Sequence, residues 1–545
     1  MTSFSRRGAC PALSAPMQTG DGLLVRINPL AGELAPKTLI GLSESAARHG
    51  NGIVEVTARG SIQIRGLTAE SACLLAEEVD ALGIAVRTGV PVDTSPLAGI
   101  DPAEIADPAP VAAAIRAGIE DAGLASRLGP KVSVVVDGRG TIGLGSVMGD
   151  VRLVAVGASR WSLSVAGDEQ AATFVGEFDA HKPCTATLHI LRAVAALGRT
   201  GRARDLDAET VHAAIEGLER SHSFPPPSVL PDISPTRGEI TPSSTASPTE
   251  QTEFHAASPE KIASPSASST VGNFDIAGQA QTAALPISPL VGEMSGRTEG
   301  GAKDRDEATL GLSPMHSGAA IRADESKSER IPTTGSSPIG ILRLTDARIA
   351  LGIALPFGSI DASTLVAFCE AATNAGATGI RPAPGRTLLV MGLAPSAAHS
   401  LTTTAQSLGL VTSPADPRIR IAACPGAPAC ASGMIAARDV AADIATNLGE
   451  SLDTTLSLHV SGCAKGCAHP GPATLTIVGD EKGAAFVVGG TAKGLPAAYT
   501  ASYEAARGMG RLTKLLAQER KPDEDAAACL ARLGAKHLAQ ALAQE

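Results

Sequence analysis

Part of this chain is written twice. Setting Gly50 beside Gly376 gives an offset of 326 positions (376 − 50), and that offset also places Leu39 on Leu365, Gly66 on Gly392 and Leu67 on Leu393. A period this long lies far outside the roughly 20–50 residues of stacked repeats. The repetition therefore specifies two equivalent half-domains rather than a solenoid. In the first copy, Leu23 to Ile27 is predicted as a strand that includes Arg26. Pro36 to His49 is predicted as a helix with proline in its first turn, and Ile53 to Thr57 as a strand pairing with Ser61 to Arg65. Alternation in that hairpin sends Val54, Val56, Ile62 and Ile64 toward a core and Glu55, Thr57, Ser61, Gln63 and Arg65 to the other face.

Each copy is followed by a longer α/β stretch, so the expected organisation is 1–90 and 339–415 as half-domains, with 91–220 and 416–545 as lobes. In the first lobe, strands are expected over Lys131 to Val136 and Val151 to Gly157. Between them, 221–338 turns to Ser, Pro, Thr, Gly and Glu, opening with SFPPPSVLP. Such a composition buries too little apolar area to offset the entropy of ordering, and the stretch reads as a disordered, low-complexity insert. Within it LPDISPTRGEI and LPISPLVGEM resemble each other.

Four of the nine cysteines fall in the second lobe as two close pairs. Cys424 and Cys430 enclose five residues and Cys463 and Cys467 three. Thiolates on short Gly, Pro and Ala turns can converge on a [4Fe-4S] cube without bulky side chains in the way. Zinc is the competing reading, although its knuckles usually space ligands as C-x2-C or C-x4-C, and simple buried thiols are a third. A helix is expected over Ala431 to Leu448, which would put Cys430 near its N-terminus, and a strand over Thr454 to Val460 that delivers Cys463. Cys10, Cys73, Cys184, Cys369 and Cys529 are scattered and read as isolated thiols. Cys184, alone in the first lobe, cannot hold a cluster.

Aromatics make up only 2% of the chain, so its cores must be aliphatic. A net charge of −10 argues against nucleic acid as a partner. No run of eighteen apolar residues suggests a membrane span, and the N-terminus lacks a signal-peptide h-region. Scattered cysteines suggest no disulfide framework, which points to a reducing, cytoplasmic setting.

The words around the cysteines carry a resemblance. ACPGAPAC followed by SGCAKGC is similar to the cluster motif of the sulfite and nitrite reductase superfamily. RRGACPALSAPMQTGDGLLVRI, SPLAGIDP at Ser95 to Pro102, and SGCAKGCAHPGPATLTIVG resemble more narrowly the precorrin-3B synthases of aerobic cobalamin biosynthesis. The likeness covers the chain apart from the insert. It implies an α+β, duplicated nitrite/sulfite reductase-like architecture: two ferredoxin-like half-domains about a pseudo-twofold axis, and two α/β lobes. The second lobe would bind a [4Fe-4S] cluster through Cys424, Cys430, Cys463 and Cys467.

The implied activity is an oxygen-dependent monooxygenase that converts precorrin-3A to precorrin-3B. It would hydroxylate the meso carbon between rings A and D and close a lactone with the ring A acetate. Dioxygen is the co-substrate, and a second iron centre is implied, mononuclear and non-haem, where other superfamily members carry sirohaem. No G-x-G-x-x-G follows a strand, so reducing equivalents from NAD(P)H are expected through a separate electron-donor protein.

The same likeness assigns the T-x-R segment, with Arg59 and then Gln63, to a tetrapyrrole's carboxylates, a task that suits the guanidinium fork. Cys10 belongs to the opening that carries the likeness. Lys131 matches the first lysine of an anion-binding segment whose second position is Ser133, and the arginine expected before SPLAG is missing from VPVDTSPLAG. Two lost cations count against a sulfite or nitrite site. Arg26, Arg65, Arg381 and Arg386 are further candidates for a carboxylate pocket. His469, two residues after Cys467, can ligate the second iron or hydrogen-bond near the cluster. The alternatives are a sirohaem sulfite or nitrite reductase, and a non-catalytic electron carrier or zinc-stabilised scaffold.

Overall fold

The computed structural model describes residues 11–179, 182–220, 338–449 and 452–543. Cys10 and all but the last residue of the 221–338 insert lie outside them.

The duplication is visible element by element. Helix Pro36–His49 maps onto Ala362–Asn374, and Ala69–Ala81 maps onto Pro395–Ser407 at the same offset. Proline at the start of Pro36–His49 gives up an N–H that no helix could have bonded there. Thr68 and Ser71 close a reciprocal capping box on Ala69–Ala81. Gly66 and Gly392, a pair that the offset had matched, both take positive φ, at 72° and 75°. Each lies where the register to the neighbouring strand slips by one residue. Both are β-bulges, where a residue without Cβ is favoured.

The first half-domain sheet runs Met17–Thr19, Gly22–Ile27, Ile62–Leu67, Ile53–Val56 and then Ser359–Asp361, which arrives from the second copy. There Ile360 pairs with Val54, while Leu34 of the first copy bridges to Ile380 of the second. Those two contacts exchange under the 326 offset, as a pseudo-twofold axis requires. Val54, Val56, Ile62 and Ile64 are buried in one core shared by both half-domains.

The lobes repeat each other as well. In the first, Val92–Thr94, Val134–Asp137 and Gly149–Ala155 run parallel and Arg160–Gly167 and Thr173–Asp179 antiparallel. In the second, Ile421–Ala423, Leu458–Ser461 and Ala473–Asp480 run parallel and Gly483–Gly490 and Ala498–Thr500 antiparallel. Helices cover each sheet over an aliphatic core of its own. Among the described residues, no helix is long and apolar enough to cross a membrane.

Two local expectations are corrected. The helix expected from Ala431 begins at Ala437, so Cys430 does not sit at its N-terminus. Residues between are drawn into other pairings, with Ala427 N–H donating to Ile435 O at 2.8 Å and Met434 N–H to Gly462 O at 2.7 Å. The strand before Cys463 is confined to Leu458–Ser461, because Asp453 and Thr455 close a turn upstream.

Candidate metal centre

Ile421–Ala423 and Leu458–Ser461 are adjacent parallel strands, with Ala423 opposite Val460. Chains leaving the same end of neighbouring parallel strands must start side by side, and here those chains begin with Cys424 and lead to Cys463. Cys424 N–H donates to Val460 O at 3.3 Å, and Gly462 N–H donates to Cys424 Sγ at 3.1 Å. At Gly462 a side chain is excluded: a Cβ would stand 2.8 Å from the Gly426 Cα. A turn closed by Gly433 N–H on Cys430 O, at 2.8 Å, sets Cys430. Partial burial, then the nearby thiols of Cys424, Cys463 and Cys430, push the Cys467 thiol up. The other three thiols are thus all in the neighbourhood of Cys467. Among the described residues, no group of three or more His, Cys, Asp or Glu side chains could hold a metal ion as placed.

The first half-domain holds the first cysteine loop from outside. Gly20 lies so close to the Cys430–Ala431 backbone that a Cβ would stand 2.2 Å from the Ala431 nitrogen. Arg65, nearly buried, donates through Nε and Nη2 to both oxygens of Asp21, at 3.0 and 2.9 Å, and through Nη2 to Ala429 O at 2.7 Å. Burial raises the Asp21 carboxyl, but the bonds from Arg65 and Thr19 outweigh it and hold the group below its ordinary range. Glu55, also buried, takes bonds from Gln63 and Arg438 and lies 3.9 Å from Arg65. Arg26 Nε donates to Gln63 Oε1 at 3.0 Å. The polar face of the hairpin is therefore packed against the second lobe.

The remaining expected site residues separate. Arg59 reaches the first lobe, donating to Asp93 at 3.2 Å, to Ser133 Oγ at 3.4 Å and to Met148 O. Lys131 is exposed. Arg381 spans from Glu33, at 2.6 Å, to Pro96 O, at 2.7 Å, and so fixes the SPLAG segment. Arg386 turns toward the second cysteine loop and donates Nη2 to Ala468 O at 2.8 Å. No ion pair is formed by Arg386 among the described residues, and burial and then Arg438 lower its pKa. Cys73, Cys184, Cys369 and Cys529 are free thiols.

His469 Nε2 meets Pro472 O at 3.0 Å, and its ring stands edge-on to that of His459, 5.7 Å away at 69°. His459 was not foreseen. Burial, then His469 and Arg386, push its pKa down to about 4, so the ring is neutral at pH 7. The signal for it was in LHVSGC, where a polar residue alternates with Leu458 and Val460, both of which face the lobe core.

A duplicated ferredoxin-like body carrying two lobes, one with paired cysteines at its strand ends, defines a nitrite/sulfite reductase-like protein. Residues 15–82 match the model of the nitrite/sulfite reductase ferredoxin-like half domain. The structure of Mycobacterium tuberculosis NirA protein superposes with a TM-score of 0.61 at 16% identity, over 95% of this chain and 84% of that one. In sequence, precorrin-3B synthase of Sinorhizobium sp is 34% identical over 542 residues, 99% of this chain and 95% of its own length. The chain belongs to the precorrin-3B synthase family and is an enzyme.

Proposed function

We propose that this enzyme acts in cobalamin biosynthesis as an oxygen-dependent monooxygenase, taking precorrin-3A to precorrin-3B. What supports the proposal is the pair of cysteine loops, Cys424 with Cys430 and Cys463 with Cys467, that leave adjacent parallel strands of a chain with a nitrite/sulfite reductase-like half-domain. The thiols suit a [4Fe-4S] cluster. Thiolates on two short loops leaving adjacent parallel strands can ligate one cube, and their C-x5-C and C-x3-C spacings differ from the usual zinc knuckles. When bound, such a cluster would supply single electrons, which closed-shell organic substrates need before dioxygen reacts with them.

The chain's own residues then have separable tasks. Cys424, Cys430, Cys463 and Cys467 would hold the cluster, and Arg65 with Asp21 would steady the loop between the first two. Arg386 is proposed for a substrate carboxylate, since it lies against the second cysteine loop, forms no ion pair among the described residues, and a guanidinium grips carboxylate bidentately. Arg59, Gln63, Arg26, Arg381 and Lys131 form an outer set. Arg59 and Arg381 already bridge domains, so these two would shape the site more than grip the ligand. His469 is proposed near a second iron, non-haem and mononuclear, with electrons derived from NAD(P)H through a separate donor protein and the whole working in the cytoplasm. Atoms balance: one oxygen of O2 enters the macrocycle, and the other leaves as water with two electrons and two protons.

The test is anaerobic reconstitution with iron and sulfide, addition of precorrin-3A, reductant and oxygen, and mass measurement of the tetrapyrrole. A gain of one oxygen atom is expected. An unchanged substrate beside a loaded cluster overturns the reading. A sirohaem absorbance with turnover of sulfite or nitrite would replace it with the reductase, and zinc without iron and sulfide would replace it with a scaffold.

A further inference from the structure

His459 is 0% exposed, and neither of its ring nitrogens has a hydrogen-bond partner. Leaving a buried polar group unsatisfied costs about 1–3 kcal/mol, and native interiors seldom tolerate it. A chain that keeps an imidazole here needs a partner the polypeptide does not supply. Position narrows what that partner is. On Leu458–Ser461 the neighbours Leu458 and Val460 enter the lobe core, so His459 projects from the opposite face, under the loop that carries Cys463 and Cys467. Its Cε1, the atom between the two nitrogens, lies 3.6 Å from where a Cβ on Gly466 would stand. The nitrogen-bearing edge therefore faces the segment between those two cysteines. Gly466 has φ of 63° and leaves that approach open. His469, edge-on at 5.7 Å, is already committed through Nε2 to Pro472 O; a carbonyl only accepts, so Nε2 carries that ring's proton.

We propose that His459 is a positioning residue that donates its ring N–H to sulfur of the metal–sulfur group held by Cys463 and Cys467, and so sets the reduction potential of that group. The inference rests on the cluster reading above and deepens it. Reduction adds negative charge to the sulfurs, and a fixed donor aimed at them stabilises the reduced form more than the oxidised one. Removing the donor lowers the potential.

The experiment compares the reconstituted full-length chain with His459→Phe, His459→Asn and His459→Gln. Iron and sulfide content is measured first, then the midpoint potential by a titration followed by electron paramagnetic resonance. Phenylalanine fills the space and has no donor. Its cluster content should match the parent's, with the reduction equilibrium moved about tenfold toward the oxidised form, which is about 59 mV for one electron. Asparagine places an N–H near Nδ1 and glutamine near Nε2, so one of them should restore the parent potential. An unchanged potential in the phenylalanine chain, as a buried water on the two nitrogens would give, overturns the proposal. So does loss of one iron per chain at unchanged potential, which would make His459 a ligand of a separate iron. Should the phenylalanine chain fail to fold by circular dichroism, the asparagine and glutamine chains decide: one at the parent potential and one below it supports the donor, and equal potentials reject it. A parent chain that takes up no iron and sulfide removes the cluster reading itself, an outcome distinct from all of these.

Discussion

The two lobes share a sheet and differ in the loop that leaves its second strand. Val134–Asp137 and Leu458–Ser461 correspond at an offset of 324 (458 − 134), which places Val135 on His459 and Arg152 on Thr476, and the sheet pairs Val135 with Arg152 as it pairs His459 with Thr476. In the first lobe the following loop is sewn shut by protein. Asp137 accepts from Arg139 N–H at 2.9 Å and Leu144 N–H at 2.7 Å, and the buried Arg152 donates to Leu144 O at 3.0 Å and to Val147 O. In the second lobe the loop carries two thiols over an imidazole with no partner. One copy of the duplicated lobe ties its loop down with its own side chains, although Arg152 Nε and Nη1 find no partner. In the other, the proposed partner of the imidazole is the group that the two thiols would hold.

Cysteine substitution should separate the copies most. Cys463→Ser is expected to lose nearly all bound iron and sulfide and with them the turnover of precorrin-3A. Cys184→Ser in the first lobe should keep both, as measured by metal content and product mass. Equal losses would erase the distinction drawn here.

Next in size is the guanidinium that staples the first loop. Arg152→Met strands the carbonyls of Leu144 and Val147 in a buried site, and hydrogen bonds to charged groups are worth about 1.5–3 kcal/mol. Calorimetry or denaturant unfolding should show a destabilisation of about that amount, while iron and sulfide content stays at the parent level. Loss of cluster in that chain would mean that the two lobes do not act independently.

Arg65→Lys tests the clamp on the cysteine loop. A lysine cannot reproduce the two-pronged contact with Asp21 and still reach Ala429 O, so about 1–2 kcal/mol of stability should go. Iron release to a chelator, followed by absorbance, should quicken.

The smallest effect is a pH dependence confined to the first lobe. Burial pushes Glu104 up to about 7 despite a bond from Gly99 N–H, and Asp101, Asp107 and Asp137 add to the rise. A carboxyl that binds its proton more tightly folded than unfolded contributes stability that is complete below its ordinary value of 4.5 and is lost as pH rises through about 7. Stability should therefore decline across that window, and Glu104→Gln should flatten the decline in melting temperature measured at a series of pH values. A decline of the same size in both chains would place its source elsewhere.

Much of the fold was legible because it is local. Period-2 alternation put Val54, Val56, Ile62 and Ile64 in the core, and matched glycines at 66 and 392 marked paired bulges. The helix start at Ala437 was misjudged because alanine spacing reads as helix, whereas Met434 is bonded to Gly462, just past the strand Leu458–Ser461. At the site, the cysteines stood out by spacing, whereas the alternation of His459 with Leu458 and Val460 marks only a strand face and does not say what that face meets. Arg65 and Gln63 looked like ligands for a substrate, yet their partners are Asp21, Glu55 and the backbone of Ala429.

By itself the sequence determined the duplication, the faces of the hairpins and the four cysteines, since these follow from residues a few places apart or from repetition at one fixed interval. Tertiary structure alone decided which polar face meets water and which meets protein, and that Arg386 forms no ion pair among the described residues. Arg65 and its partner Ala429 lie 364 positions apart, and no local pattern records a contact across that distance. Charge and hydrogen bonding are settled by whatever side chains the fold finally brings within a few ångströms of one another, whereas strand and helix periodicity is settled before the chain has folded at all.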